Sequence, residues 1–303
     1  MRAVVVGFGS IGARHARILG ELGLDVAVVS RRPQKLTAYG SLAEALAQHR
    51  PEYVVIANDT VEHYTTLRDL AGAGYRGAVL MEKPLFHACL ETPTHKFSAL
   101  FIGYNLRFHP LIARMREITA AERIFSAVIY VGQHLSTWRE GDYRQGYSAS
   151  RDRGGGVLLD LSHEIDYALW NLGGWRALAA SGGRVGNLES TSDDAFSIIL
   201  RCGKCELVSI DMNYLHRPGK RTISLVSERA TYELDLEDGS IRIDGGRPEA
   251  MLAERDFTYR EQHLALLEGR HERLCTLEQA QDVMRVIDAA QRSSRDMTWI
   301  QNH

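Results

Sequence analysis

Two short stretches hold residues whose types and spacing can do chemistry. Gly7-Phe8-Gly9-Ser10-Ile11-Gly12 has a G-x-G-x-x-G spacing, directly follows the apolar run Val4–Val6 and opens the helical pattern Ile11–Leu22. In that setting the first glycine permits a tight turn and the second lets the backbone approach a pyrophosphate. The third lets the helix pack closely on its strand. The helix start would offer N–H groups and a partial positive charge to phosphates. Without a ligand the same residues would be a plain strand–turn–helix, so the dinucleotide reading rests on the strand before and the helix after. The second stretch, Glu82-Lys83-Pro84, follows the run Ala78–Met81. A lysine at the carboxyl end of a central strand can reach a nicotinamide or a substrate hydroxyl, and a cis Pro84 would turn the chain sharply.

The apolar run Val26–Val29 ends in Ser30-Arg31-Arg32. A site that prefers NAD usually places Asp or Glu there for the ribose 2′-hydroxyl. A serine hydroxyl and two guanidinium groups instead suit a 2′-phosphate, because Arg grips phosphate through a bidentate fork. The expected cofactor is NADP ahead of NAD, against the plainer reading of a solvated basic turn before Pro33.

Further along, Leu158–Leu172 reads as part of one helical segment from Gly155 to Asn171. At about 100° per residue, His163, Glu164 and Tyr167 fall within about 60° of Asp160. Leu158, Leu161, Ile165, Leu169 and Leu172 lie opposite. The helix would pack by its aliphatic stripe and present Asp, His, Glu and Tyr as an acid/base face; the plainer reading is an exposed face with acids near a helix start. Tyr104, Asn105, Arg107 and His109 form a polar cluster after another strand end. They suit contacts with nicotinamide or sugar hydroxyls, though Arg107 equally suits a brace at a domain junction. Trp138, Arg139, Tyr143, Arg144 and Tyr147 make a loop rich in aromatics and arginine, suited to sugar faces and anionic groups or simply to packing. Cys202-Gly203-Lys204-Cys205 has a metal-knuckle spacing but no second pair, with Cys89 and Cys275 isolated, so it reads as a hairpin turn and no metal is expected.

These residues must be held by a suitable framework. The 303 residues include 45 % apolar and 24 % charged, with 36 Lys plus Arg against 38 Asp plus Glu. That balance gives a sizeable core, excludes wholesale disorder and offers no basic field for nucleic acid or anionic lipid. Four cysteines, no signal-peptide pattern and no apolar run of about 18 residues point to a cytoplasmic protein away from membranes. Ala3–Val6, Val26–Val29, Tyr53–Ala57, Ala78–Met81 and Leu100–Ile102 read as buried parallel strands. Between them lie a helix opened by Ser41 and Glu44 as a capping box and another from near Thr60 toward Ala73. Ala195–Arg201, Glu206–Asn213, Thr222–Val226, Thr231–Leu236 and Ser240–Ile243 read as antiparallel strands, and a last amphipathic helix spans about Leu277–Gln291. The expected fold is α/β. Residues 1–107 form a doubly wound Rossmann domain. Residues 108–303 form an α+β substrate-binding and oligomerisation domain with an open, mostly antiparallel sheet, and its last helix can pack back on the first domain.

Taken together, Gly7–Gly12, Ala57-Asn58-Asp59-Thr60-Val61-Glu62-His63, Glu82-Lys83-Pro84, Gly103-Tyr104-Asn105-Leu106-Arg107-Phe108-His109-Pro110 and Gly154–His163 resemble the glucose–fructose oxidoreductase/inositol dehydrogenase/rhizopine catabolism family. The resemblance runs along nearly the whole chain in the expected order. It implies an NAD(P)-dependent sugar or cyclitol dehydrogenase, working as a homodimer or homotetramer through its open sheet. By resemblance Lys83 corresponds to the catalytic lysine, with Asp160 and His163 as the downstream acid and histidine. Asn58, Asp59, His63, Glu82 and Arg107 join the glycine motif, Ser30, Arg31 and Arg32 around the cofactor. Tyr104, Asn105, Trp138, Arg139, Tyr147, Glu164 and Tyr167 are placed with the substrate. Two departures stand out. The segment from Pro84 to Gly103 is short and interrupted by Pro93, and alignment from the glycines puts Glu164 where His163 would act. Asp-Leu-Ser-His-Glu-Ile-Asp-Tyr is similar to a branch associated with cell-surface sugar pathways. The alternative is a cofactor-binding regulator of the same fold without catalysis; a reductase of imine-type substrates would need a more apolar pocket.

Overall fold

The computed structural model describes residues 1–31, 35–138 and 141–302, and Arg32 and Arg139 lie outside the described residues. The chain forms two compact units. One comprises residues 1–105 and 259–280, the other residues 106–258 and 281–303. The sequence boundary at residue 107 assigned 108–303 entirely to the second domain, whereas Tyr259–Ala280 belongs with the first unit. The reason is pairing: Cys275 and Thr276 add an antiparallel strand beside Ile102 and Phe101.

In the first unit, β1 (Arg2–Val6), β2 (Asp25–Val29), β3 (Thr37–Tyr39), β4 (Tyr53–Ile56), β5 (Ala78–Met81) and β6 (Ala99–Ile102) form a sheet ordered β6-β5-β4-β1-β2-β3. All six are parallel. Val4, Val5, Val54, Val55, Val79 and Leu80 are fully buried, as strands covered on both faces require. Helices α1 (Ser10–Glu21), α2 (Leu42–Gln48) and α3 (His63–Gly72) connect them. Ser41 caps α2 by accepting the Glu44 N–H at 3.2 Å, and the Glu44 carboxylate accepts the Gly40 N–H. Strand order reverses direction between β1 and β4, the crevice where doubly wound sheets bind ligands. No helix joins β5 to β6: residues 82–98 run as irregular chain through Pro84 and Pro93, which lack the N–H that a helix interior needs.

In the second unit, α4 (Pro110–Ala121) precedes β7 (Ile124–Gly132). Then come α5 (Val157–Asp160), α6 (His163–Leu172), β8 (Trp175–Gly183), β9 (Ala195–Cys202) and β10 (Val208–Asn213). The sheet continues through β11 (Lys220–Ser227), β12 (Thr231–Asp235), β13 (Ser240–Ile243) and β14 (Glu249–Ala250). Its order is β14-β13-β12-β11-β7-β10-β9-β8, with Ile300–Gln301 added beside β8. Only β7 and β10 pair in parallel; every other pairing in this sheet is antiparallel. On one face Ile129, Ile198, Leu200, Ile210, Ile223 and Leu225 are buried. The other face exposes Val128, Ile199 and Val226 among serines and charged residues. The Cys-Gly-Lys-Cys turn closes the β9–β10 hairpin with the Cys202 N–H donating to the Cys205 carbonyl at 2.8 Å. Burial pushes the Cys202 thiol up to about 12. Among the described residues no group of three or more His, Cys, Asp or Glu could hold a metal ion, and no helix is long and apolar enough to cross a membrane.

The expected single helix from Gly155 to Asn171 is two helices, α5 and α6, separated at Leu161-Ser162. The break changes the angular phase, so the helical wheel drawn across it does not hold. Nor is its polar side a free face: Asp160, Glu164, Asp166 and Tyr167 are all buried. Arg107 and Asp166 form a buried charge pair, joined at 2.6 and 3.0 Å and exposed by only 1 % and 2 %. The Arg107 guanidinium also lies 5.0 Å over the Trp170 ring. Arg107 is therefore a brace within the second unit, and the expectation that it binds cofactor is corrected. Its removal takes from a buried carboxylate the guanidinium that balances its charge. Arg107→Ala should cost about 3–5 kcal/mol of stability, whereas the paired change Arg107→Leu with Asp166→Leu should recover most of it. Urea unfolding of the three proteins checks this; equal stability for wild type and Arg107→Ala would remove the brace.

Candidate functional site

In the first unit the glycine motif sits where β1 ends. Gly7 has a φ of +93°, and a side chain there would come within 2.6 Å of the Asn58 backbone. A Cβ on Gly12 would meet the Gly7 carbonyl oxygen at 2.1 Å, so only glycine lets α1 approach β1 this closely. Gly9 differs: nothing lies within 4 Å of its Cβ position, and as the N-cap of α1 it supplies no side-chain hydrogen bond. Its missing side chain leaves open space over a helix start whose amides have no side-chain cap, which fits a pyrophosphate. A cavity of about 480 Å³ opens there. Its lining comes from three strand ends: Gly7, Phe8 and Gly9 after β1, Ser30 and Arg31 after β2, and Asn58 and Asp59 after β4. Ser10 and Ile11 form the first turn of α1. The chain thus has the shape and the backbone donors for a dinucleotide. The end of β2 brings a hydroxyl and a guanidinium to the cavity and no carboxylate.

Three parallel strands end along this same edge, and β5 leads into Glu82-Lys83-Pro84, whose last peptide bond is cis. His63 does not line the cavity. It is buried, with Nδ1 3.0 Å from the Pro84 carbonyl and Nε2 3.2 Å from the Asn58 carbonyl. Burial lowers its pKa, although both carbonyls favour the charged form. His63 therefore ties the Asn58 turn to the Pro84 turn, which corrects its expected place on the cofactor. Glu82 is also redirected. Its Oε1 meets His15 Nε2 at 2.8 Å in the interior and its Oε2 accepts the Lys83 N–H at 3.3 Å. The tight fit of Gly103, whose Cβ would lie 2.9 Å from Glu82 Oε1, fixes the carboxyl from the other side. Lys83 is half-buried; Tyr104 and Asn105 are buried at the end of this unit's first segment.

The contacts of His15 were not foreseen. Its Nδ1 lies 2.8 Å from His263 Nε2, and His263 Nδ1 lies 2.8 Å from the Tyr53 hydroxyl. All four members of this row are buried. His15 stands three residues after the last glycine of the motif, a visible local signal. His263 is 248 residues away, and nothing nearby in sequence marks it.

In the second unit the Gly154-Gly155-Gly156 run sets the entry to α5. Gly154 and Gly156 have φ of +78° and +137°, and a Cβ on Gly155 would lie 2.2 Å from the Tyr147 carbonyl. Asp160 then accepts a 2.6 Å hydrogen bond from the Tyr214 hydroxyl. The Tyr214 ring meets Trp138 edge-on at 5.0 Å, and Trp138 Nε1 donates to the Gln133 carbonyl at 3.1 Å. Trp138, Tyr143 and Asp142 line a second cavity of about 300 Å³, near the half-buried Tyr147. His163 is half-buried at the start of α6, but its neighbour Glu164 is completely enclosed. Glu164 accepts from Arg221 Nε at 2.8 Å and from the Tyr167 hydroxyl at 3.2 Å. Burial, then the adjacent Glu164 charge, pushes the Tyr167 phenol well up. Glu164 is thus occupied with Arg221 and Tyr167 with Glu164, which corrects their expected place on the substrate. His109 caps α4 by accepting the Leu111 N–H, and burial followed by the Arg221 charge lowers it to about 4.

Comparisons with known proteins agree with this architecture. Residues 1–95 match the family described as "Oxidoreductase family, NAD-binding Rossmann fold", and residues 112–242 match the "GFO/IDH/MocA C-terminal domain". No curated protein matches the chain in sequence. Among solved structures, levoglucosan dehydrogenase in complex with NADH superimposes with a TM-score of 0.84 at 14 % identity, covering 99 % of this chain and 98 % of its own. GenD2 from gentamicin A biosynthesis, in complex with NAD, gives 0.82 at 22 % identity, covering 100 % and 96 %. The WlbA dehydrogenase from Bordetella pertussis, in complex with NADH and UDP-GlcNAcA, gives 0.80 at 18 % identity, covering 100 % and 98 %. At these identities the likeness is one of fold.

Proposed function

Because the chain belongs to the GFO/IDH/MocA oxidoreductase family, with its NAD-binding Rossmann fold, we propose that it passes a hydride between a bound nicotinamide and a secondary hydroxyl or ketone of a sugar, sugar derivative or cyclitol. The observation carrying this reading is the alignment of three strand ends on one sheet edge: the glycine turn after β1, Asn58-Asp59 after β4 and Glu82-Lys83 after β5. Sugar-derived ligands or substrates in the names of similar structures support the substrate class. We place the protein in the cytoplasm on its cysteine usage.

Lys83 holds or relays the hydroxyl proton. A positioned acid or base usually contributes about 10²–10⁴-fold to such a step. By its likeness to the family pattern, His163 serves as the acid/base group, since an imidazole titrates near neutrality. Asp160 orients it, itself held by Tyr214. Half-burial leaves His163 accessible where Glu164 is not. Lys83→Ala and His163→Ala should each lower kcat by at least about a hundredfold with cofactor affinity within a few-fold. Steady-state kinetics on sugar substrates read this, and full turnover by Lys83→Ala would end the mechanism. Glu164→Gln should act through stability, visible as a lower melting temperature ahead of any loss in kcat.

Cofactor choice follows from the end of β2. A charge-assisted contact from Arg31 to a 2′-phosphate is worth about 1.5–3 kcal/mol, or roughly ten- to a hundredfold in affinity. NADP should bind that much more tightly than NAD, and Arg31→Ala should erase the difference; calorimetric titration yielding equal or tighter NAD binding refutes the preference. The protein works as a homodimer or homotetramer through the sheet face that carries Val128, Ile199 and Val226. Light scattering at micromolar concentration should give twice or four times the chain mass, and a single-chain mass would overturn that assembly.

A further inference from the structure

The buried row Tyr53–His263–His15–Glu82 has one arrangement of hydrogens that satisfies every member. Among the described residues, the Tyr53 hydroxyl has no hydrogen-bond partner besides His263 Nδ1, at 2.8 Å. A buried hydroxyl with a single partner uses its hydrogen on it. His263 Nδ1 is then an acceptor, and the ring carries its hydrogen on Nε2, which faces His15 Nδ1 at 2.8 Å. His15 Nδ1 must accept in turn, so its hydrogen lies on Nε2, pointing to Glu82 Oε1 at 2.8 Å. The direction runs one way, from phenol to carboxylate. An imidazolium at His15 would need to donate from both nitrogens. That reverses His263 and turns its Nδ1–H toward the tyrosine oxygen, leaving the phenol hydrogen without an acceptor.

We propose that the Tyr53 hydroxyl, acting through His263, holds His15 as a neutral imidazole and thereby keeps Glu82 a full negative charge at the root of Lys83. Tyr53, His263 and His15 are positioning residues in this scheme, since they reach Lys83 only through Glu82. The proposal deepens the reading of Lys83 as the proton-handling group and rests on it for its consequence in turnover. Burial holds the His263 pKa well down, in keeping with a ring that stays neutral. Other groups bear on the row. His63 feels the Glu82 charge, Tyr75 lies near Tyr53, and the Tyr259 ring meets His15 edge-on and carries the Arg14 guanidinium over it. None of these contacts supplies the Tyr53 oxygen with a second partner.

The test is nitrogen-detected NMR of the cofactor-free full chain with labelled histidine. In the wild type His15 and His263 should both show the neutral tautomer with hydrogen on Nε2 at neutral pH. This first measurement needs no variant. An imidazolium at His15, or hydrogen on Nδ1 of either ring, would overturn the proposal. In Tyr53→Phe the constraint is gone, and the His15 imidazolium fraction at a given mildly acidic pH should rise by about threefold or more, the size of one neutral hydrogen bond. An unchanged fraction would also overturn it. The connection to Lys83 is read separately, in the pH profile of kcat. An imidazolium at His15 cancels the Glu82 charge, which lowers the pH at which a nearby lysine loses its proton. The rising limb of kcat in Tyr53→Phe should therefore move to lower pH, and an unmoved limb would cut the link to Lys83. Full turnover by Lys83→Ala would remove the mechanistic reading while the histidine spectra stood by themselves.

Discussion

A carboxylate taken out of water must be met by donors, and this rule shapes both units. Glu82, Asp160, Glu164 and Asp166 are all buried. Each meets a partner distant in sequence: His15, Tyr214, Arg221 and Arg107. An unpaired charge in the interior costs several kcal/mol, a large share of a domain's stability. The acids therefore dictate which segments come together. Asp160, Glu164 and Asp166 draw Tyr214 after β10, Arg221 on β11 and Arg107 before α4 onto α5 and α6. Glu82 does the same for α1.

This also explains how far the sequence was legible. The strands of the first unit announce themselves as continuous β-branched runs, and the glycine motif declares its own backbone. A Cβ at Gly7 or Gly12 would strike main-chain atoms, so a local spacing maps onto a local shape. Acids were harder to read. A helical wheel assigns a polar side but does not distinguish water from a buried partner. Glu164 and Tyr167 looked like a working surface because Arg221 lies 57 residues beyond Glu164. Arg107 and His63 read as cofactor residues in sequence for the same reason. Their partners, Asp166 and the carbonyls of Pro84 and Asn58, are supplied by the fold rather than by the neighbouring sequence. β3 and the strand at Cys275 escaped because each is too short to show a period.

Lys83 and His163, the two residues proposed for the chemistry, are each only partly enclosed. Both are half-buried beside buried neighbours, Glu82 and Glu164. In each pair the enclosed acid is fixed by the core and the adjacent side chain inherits a defined backbone position. Precision at a reacting atom depends on such support, since a misplacement of about 1 Å can cost a hundredfold in rate.

The return of Tyr259–Ala280 to the first unit has a consequence for how the molecule is made. The ribosome releases β1 through β6 early, but the phenol of Tyr53 stays without its acceptor until residue 263 has been synthesised. The edge of β6 likewise stays open until Cys275 and Thr276 arrive. Through the whole translation of residues 106–258 the nascent nucleotide-binding sheet carries an unpaired edge and an unfilled polar interior, the features that expose a partly folded chain to misassociation. Its completion thus waits on the synthesis of residues 259–280, and a chain truncated after the second unit's sheet would lack the segment that finishes the first.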